Sequence, residues 1–204
     1  KGILFLDEFP EYTRSCLEAL RQPLEDRVVT VARAQDTITF PADFMLVATQ
    51  NPCPCGYYMD PGHSCSCTPH QVAQYTKKIS GPLLDRIDLV VPVQKVDHKY
   101  LLPDVKTSQT SESRVLKQRI LSARKLQANR FDTASKVNSH MSNRDIASLA
   151  VLSSEAKQFL ETAAQKLSLS ARSYMKVIRV ARTIADLEDS PSINTPHMSE
   201  ALQY

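Results

Sequence analysis

Gly2-Ile3-Leu4-Phe5-Leu6-Asp7-Glu8 sets four large apolar residues in a row and ends them abruptly in two carboxylates. A continuous apolar run this short predicts a strand buried on both faces of a parallel sheet, which places the chain in the α/β class. Ligands of such sheets bind beyond the carboxyl ends of the strands, where Asp7 and Glu8 stand. A carboxylate there can hold a divalent cation, and its neighbour can polarise an attacking water. A strand that simply ends at a solvated turn would carry the same dipeptide, so the segments that follow decide between the two.

A second run, Phe44-Met45-Leu46-Val47-Ala48-Thr49, leads into Gln50-Asn51-Pro52. Beside a strand ending in Asp-Glu, a carboxamide at this end can hold a water in line with a phosphorus atom. Between the two runs, Thr13 to Leu20 has helical spacing and Pro23 is expected to end that helix. Val28–Val31 and Thr37–Phe40 alternate as a hairpin around Arg33-Ala34-Gln35-Asp36, and Arg27 and Arg33 are placed to meet a partner's phosphates.

The chain has 204 residues, 42% hydrophobic, enough for one or two domains with a real core. No apolar run approaches a membrane span and no signal-peptide pattern opens the chain, so the expected setting is cytoplasmic. Lys1 opens directly on a strand, which leads us to expect a fragment whose preceding residues were removed. A net charge of +3 leaves the partner open.

Cysteine usage is uneven. Cys53-Pro-Cys55 and Cys65-Ser-Cys67 cluster, while Cys16 stands apart on the first helix. Two Cys-x-Cys pairs joined by a loop with turns at Gly56, Pro61 and Gly62 can close a tetrahedral thiolate site around zinc, with His63 and His70 as bystanders. Reduced thiols or a redox-labile disulfide are the alternative. Beyond the loop, Gln71 to Ile79 reads as a helix. Leu89-Val90-Val91-Pro92-Val93 then reads as another buried strand, and Arg86 stands ahead of it between Asp85 and Asp88, where a local ion pair is the simplest expectation.

Residues 96–113, with Pro103 and a Thr/Ser-rich run, have the composition of a linker. Past it the period turns helical. Leu116, Ile120 and Ala123 share a face, Ser142 with Asp145 makes a capping box, and Ala156, Phe159, Leu160, Ala163, Ala164 and Leu167 form an apolar stripe. Tyr174, Val177, Ile178, Ala181 and Ile184 line one face of a further helix, and Thr195-Pro196 starts the last. These stripes are expected to bury against one another as a small bundle. Arg172 is placed in the first turn of its helix, at the positive end of the dipole, an arrangement that suits sharing an anion with the free N–H groups.

Together, Gly2–Glu8 and Ala48-Thr49-Gln50-Asn51-Pro52 resemble the Walker B and sensor 1 segments of AAA+ ATPases. Within these the chain resembles the magnesium-chelatase-like branch, which includes competence proteins of the ComM type and carries a similar cysteine-rich loop. Gly81-Pro82-Leu83-Leu84-Asp85-Arg86-Ile87-Asp88 is similar to that family's arginine-finger segment, and Ser170–Ile178 to its sensor 2 helix. The resemblance implies the later part of a AAA+ module. Residues 1–95 would be a partial parallel-sheet nucleotide-binding core with a cysteine-rich insertion, residues 96–113 a linker, and residues 114–204 an all-α helical lid.

It further implies ATP and Mg2+ as cofactors, with Asp7 on magnesium, Glu8 activating water, Asn51 positioning it, and Arg172 on the γ-phosphate in cis. Arg86 would reach that phosphate in trans, within a homo-oligomeric ring, expected to be a hexamer. Cys53, Cys55, Cys65 and Cys67 would hold a structural Zn2+. No Gly-x-x-x-x-Gly-Lys-Ser/Thr occurs in these residues, so the fragment is expected to be inactive alone. The expected client is DNA, with the motor a helicase promoting branch migration in natural transformation. A chelatase ATPase subunit on a porphyrin pathway, or a zinc-stabilised nucleic-acid-binding module without ATPase activity, are the alternatives.

Overall fold

The computed structural model describes residues 2–33, 36–94, 96 and 109–204. The hairpin's Ala34 and Gln35 and most of the expected linker lie outside the described residues. The chain divides into two compact units, Lys1–Ile87 and Asp88–Tyr204.

In the first unit, β1 (Gly2–Leu6) and β4 (Phe44–Ala48) pair in parallel, with Gly2 opposite Phe44 and Leu6 opposite Ala48. The register makes both strands end at the same edge, which brings Asp7-Glu8 and Thr49-Gln50-Asn51 together. The ladder runs past the strand ends, since Thr49 N donates to Leu6 O at 3.0 Å and Phe9 N to Thr49 O at 2.8 Å. Leu6 and Leu46 pack on a core of Phe9, Leu17, Ile79 and Leu83. The expectation of burial on both faces fails: alternate residues of a strand point to opposite faces, and Ile3, Phe5 and Met45, on the other face, are 69%, 57% and 57% exposed.

Between these strands come a 3-10 turn (Phe9–Glu11), α1 (Arg14–Ala19), capped by Thr13, and α2 (Arg21–Asp26). Pro23 does not end the helical segment. It sits in the first turn of α2, where a backbone N–H has no intrahelical acceptor and its loss costs nothing. The hairpin forms as the alternation predicts: β2 (Val28–Ala32) pairs antiparallel with β3 (Thr37–Pro41). After β4 come the cysteine loop, α3 (Pro69–Thr76) and α4 (Gly81–Leu84).

The second unit opens on residues 88–94, where the expected strand is absent. Among the described residues this segment makes a single main-chain bond, Val90 N to Tyr204 O at 3.1 Å, and no ladder; Pro92 lacks an N–H, and Leu89, Val90, Val91 and Val93 are exposed. The rest of the unit is helical: α5 (Gln109–Phe131), which takes up the last residues of the expected linker, α6 (Asn143–Leu149), α7 (Ser154–Leu167), α8 (Ala171–Leu187) and α9 (Thr195–Ala201). Its core gathers Ile146, Leu160, Val177, Ile178, Ala181, Ile184, Ile193 and Met198, as the stripe on α8 predicts. The capping box of Ser142 and Asp145 is present in full. The stripes on α5 and α7 are only partly covered. Ala123, Ala156 and Leu160 are buried, whereas Leu116, Ile120 and Leu167 are exposed.

Candidate functional site

Glu8 is the residue on which the edge of the small sheet turns. It follows β1 in the left-handed region, at φ 50° and ψ 47°, a conformation that costs a non-glycine residue about 1–2 kcal/mol. Such strain persists only where neighbours over-determine it, and here Thr49 does so. Its hydroxyl donates to Asp7 Oδ1 and accepts the Glu8 N–H at 3.1 Å, while that N–H also meets Asp7 Oδ1 at 3.1 Å. One threonine at the end of β4 therefore holds the Asp7 carboxylate and the Glu8 main chain at the end of β1. The sequence gives no warning of this role, because Thr is an ordinary strand residue and its function depends on register.

Asp7 and Glu8 are exposed and, among the described residues, make no ion pair. Glu11, by contrast, is neutralised by Lys78, whose Nζ lies 3.1 Å from both of its oxygens. Glu8 and Asn51 line one cavity of about 510 Å3 together with Pro54, Gln74, Tyr75 and Lys78. The cavity thus joins a carboxylate that makes no ion pair among the described residues to a carboxamide at the adjoining strand end. A hard, oxygen-only carboxylate such as Asp7 suits Mg2+, and a carboxylate facing a cavity beside an amide suits a water held for attack.

The cysteine loop begins two residues after Asn51. Gly56, at φ +81°, supplies a left-handed turn that closes Gly56 N onto Cys53 O at 3.0 Å. The turn brings Cys53 Sγ to 3.3 Å from Cys55 and 3.7 Å from Cys65, with Cys55 and Cys65 3.5 Å apart. All four ligand atoms, including Cys67, lie within 4.8 Å of one another, and all four cysteines are free. Four sulfurs on a tetrahedron around zinc would stand about 3.8 Å apart, given Zn–S near 2.3 Å. The spacing fits that ion and is far too long for a disulfide.

The thiols respond to one another electrostatically. A hydrogen bond from the Tyr57 main chain holds Cys55 down at about 5. The Cys67 main chain pulls Cys65 down, yet burial and the neighbouring thiols outweigh it and push Cys65 up to about 12. Crowded thiols that resist sharing negative charge are what a cation would relieve. His63 stands outside the cluster, bonded to Asp60 at 3.2 Å and stacked on Tyr57, and His70 meets Gln74.

Arg86 pairs with neither flanking aspartate. Its guanidinium meets Glu25 from α2 and donates to Pro82 O at 2.5 Å, and its side chain is only 12% exposed. Among the described residues, its buried Nε has no partner. On the hairpin, Arg27 lies 3.9 Å from Asp43, and Arg33 is exposed.

In the second unit, Arg172 is exposed in the first turn of α8, whose N-cap Ser170 accepts from Ser173 N. The feature there that the sequence does not announce is a buried ionic network around Asp186. Arg130, Arg182 and Asn138 all donate to its carboxylate, and Asn138 also donates to Thr183. Among the described residues, no helix is long and apolar enough to cross a membrane.

Comparison with known proteins agrees with this geometry. Residues 1–101 match the family model for magnesium chelatase, subunit ChlI, and residues 110–204 match that for its C-terminal region. Over its whole length the chain is 40% identical to the competence protein ComM of Haemophilus influenzae, covering 38% of that protein. It is likewise 38% identical to the uncharacterized protein YifB of Escherichia coli, covering 39% of it. With the uncharacterized protein Rv2897c of Mycobacterium tuberculosis the identity is 35%, covering 40%. The chain thus spans about two fifths of the length of these relatives. The paired strand ends with their acidic and amide residues, the helical second unit and these matches agree: the chain belongs to the magnesium chelatase subunit ChlI family, a branch of the AAA+ ATPases.

Proposed function

We propose that this chain supplies the hydrolytic residues of an ATP-driven motor. The observation that carries the reading is the in-register parallel pairing of β1 with β4, which sets Asp7 and Glu8 beside Thr49 and Asn51, with Glu8 and Asn51 lining one cavity. Asp7 would hold Mg2+, which when bound with ATP neutralises charge on the phosphates. Glu8, strained and in no ion pair among the described residues, accepts the proton of the attacking water, and Asn51 orients that water. Thr49 holds the Asp7 carboxylate and the Glu8 backbone.

Arg172 is assigned to the γ-phosphate in cis and Arg86 to the same phosphate in trans, which requires a ring, proposed to be a homohexamer. The division into a core through residue 95, a linker at 96–113 and a lid at 114–204 belongs to this proposal. So does a structural Zn2+ on Cys53, Cys55, Cys65 and Cys67, supported by their spacing. With no phosphate-binding Gly-x-x-x-x-Gly-Lys-Ser/Thr in these 204 residues, hydrolysis is proposed for the full-length protein in the cytoplasm and not for this stretch alone.

The proposed client is DNA, with the motor driving branch migration as a ComM-type helicase in natural transformation. Supporting this are the relative named as a competence protein and the hairpin that carries Arg33. A second reading, an ATPase subunit acting with others on a porphyrin, is favoured by the description shared by both family models. ATP turnover of the full-length protein with and without branched or single-stranded DNA separates the two. Stimulation by DNA supports the helicase, and turnover indifferent to DNA rejects it in favour of the chelatase reading.

A further inference from the structure

A second cavity, of about 560 Å3, adjoins the hydrolytic one and carries a different set of side chains. Pro10, Tyr12 and Arg14 line it from the 3-10 turn and the start of α1, and Lys77 lines it from the end of α3. Glu11, Gln74 and Lys78 line both cavities and so form the wall between them.

Charge in this second cavity does not cancel. Glu11 is already paired with Lys78, whose Nζ lies 3.1 Å from both of its oxygens. Arg14 and Lys77 are exposed and, among the described residues, make no ion pair. Lys77 follows the last turn of α3, where a cation suits the negative end of the helix dipole. Arg14 stands in the first turn of α1, where a cation gains nothing from the dipole. Two uncompensated cations in one concave wall focus a positive potential on whatever enters it.

An aromatic ring stands among these charges. Tyr12 is 42% exposed. Its backbone is extended and leads from the proline-started 3-10 turn straight into Thr13, the cap of α1, so the ring projects from a pinned stretch of chain. A presented ring beside free cations can take a nucleobase on its face while the cations take the neighbouring phosphates.

Resting on the reading of DNA as the client given above, we propose that this cavity binds single-stranded DNA, with Arg14 and Lys77 on backbone phosphates and Tyr12 stacked against a base. An acidic protein segment would satisfy the cations but leave the ring unused, so the single strand fits the whole lining. Contacts to phosphates and to the face of a ring carry no base identity, so binding here is indifferent to sequence. The wall of Glu11, Gln74 and Lys78 sets the bound strand next to the cavity that Glu8 and Asn51 line.

The test uses the full-length protein with a non-hydrolysable ATP analogue and a fluorescent oligothymidylate, whose affinity is measured by anisotropy over a range of salt. Arg14→Ala and Lys77→Ala are each expected to reduce the slope of log affinity against log salt by about 0.7, the value for one phosphate contact on a single strand. Tyr12→Leu should lower affinity about fivefold or more at every salt concentration and leave that slope unchanged. All three side chains are exposed, and thermal midpoints are expected to stay at the wild-type value. Wild-type affinity and slope in the Arg14→Ala/Lys77→Ala double variant, or wild-type affinity in Tyr12→Leu, would overturn the site. Polyglutamate of equal charge competing as well as unlabelled oligothymidylate would overturn it in favour of an acidic protein partner. Wild-type protein that binds no oligonucleotide rejects the DNA reading beneath the proposal, whereas binding that Arg33→Ala abolishes and these three variants leave intact rejects this site alone.

Discussion

Replacing Asp186 with Ala should be among the most damaging single changes in the helical unit. Its carboxylate is 0% exposed. Oδ2 accepts from Arg130 Nη1 and from Asn138 Nδ2, each at 2.8 Å, and Oδ1 accepts from Arg182 Nε at 3.1 Å and from Arg130 Nη2. Arg182 is itself 1% exposed and is held in place by the carbonyls of Pro191 and Ser190. It cannot swing into water when its counter-charge goes. The variant leaves two guanidiniums with no partner charge, a loss of about 3–5 kcal/mol for a broken buried pair. For a chain of this size that is a fall in midpoint of roughly 6–20 °C. Urea unfolding followed by far-UV circular dichroism measures it directly. A loss below about 1 kcal/mol with an unchanged denaturant slope would refute the claim that this network is buried and interdependent.

Three further outcomes follow from particular contacts. Lys136 and the Ser142 cap hold the Asp145 carboxyl down at about 2 against an ordinary 3.8. Its contribution to stability is therefore complete above the unfolded value and is lost as pH falls through about 4 towards 2. Asp145→Asn should flatten acid unfolding in that window, and an unchanged acid limb would contradict the assignment. Purified protein should carry stoichiometric zinc whose chelation frees four thiols besides Cys16; absence of metal with those four already titratable rejects the zinc site. Arg86→Ala should leave ATP binding intact and cut turnover about a thousandfold, and in mixed assemblies it should silence the neighbouring site. If Glu25→Ala reproduces that loss, Arg86 serves only as the partner of Glu25.

What could be read in advance was whatever local pattern fixes. The apolar runs of β1 and β4, the alternation of β2 and β3, the cap at Ser142 three residues before Asp145 and the two Cys-x-Cys pairs all declare themselves within a few residues. Register and long-range pairing do not. Thr49 acquires its role because Leu6 meets Ala48, and Arg86 finds Glu25 across 61 residues instead of the adjacent aspartates. In the Asp186 network only the Arg182 pair, one helical turn apart, follows sequence spacing, while Arg130 arrives from 56 residues away. Expectations of strand burial failed for a related reason. An apolar run shows that a segment can be buried, but coverage of Ile3 and Phe5, or a ladder for residues 89–93, depends on partners that the run does not specify.

The central claim, that Glu8 activates water at the edge of β1, is tested most directly by single-turnover ATP hydrolysis of the full-length protein and its Glu8→Gln variant. The variant keeps the side-chain shape and the Thr49 contact to the main chain but cannot accept a proton. ATP binding should be retained while the rate of the chemical step falls by about 10²–10⁴. Hydrolysis by Glu8→Gln at the wild-type rate would contradict the account.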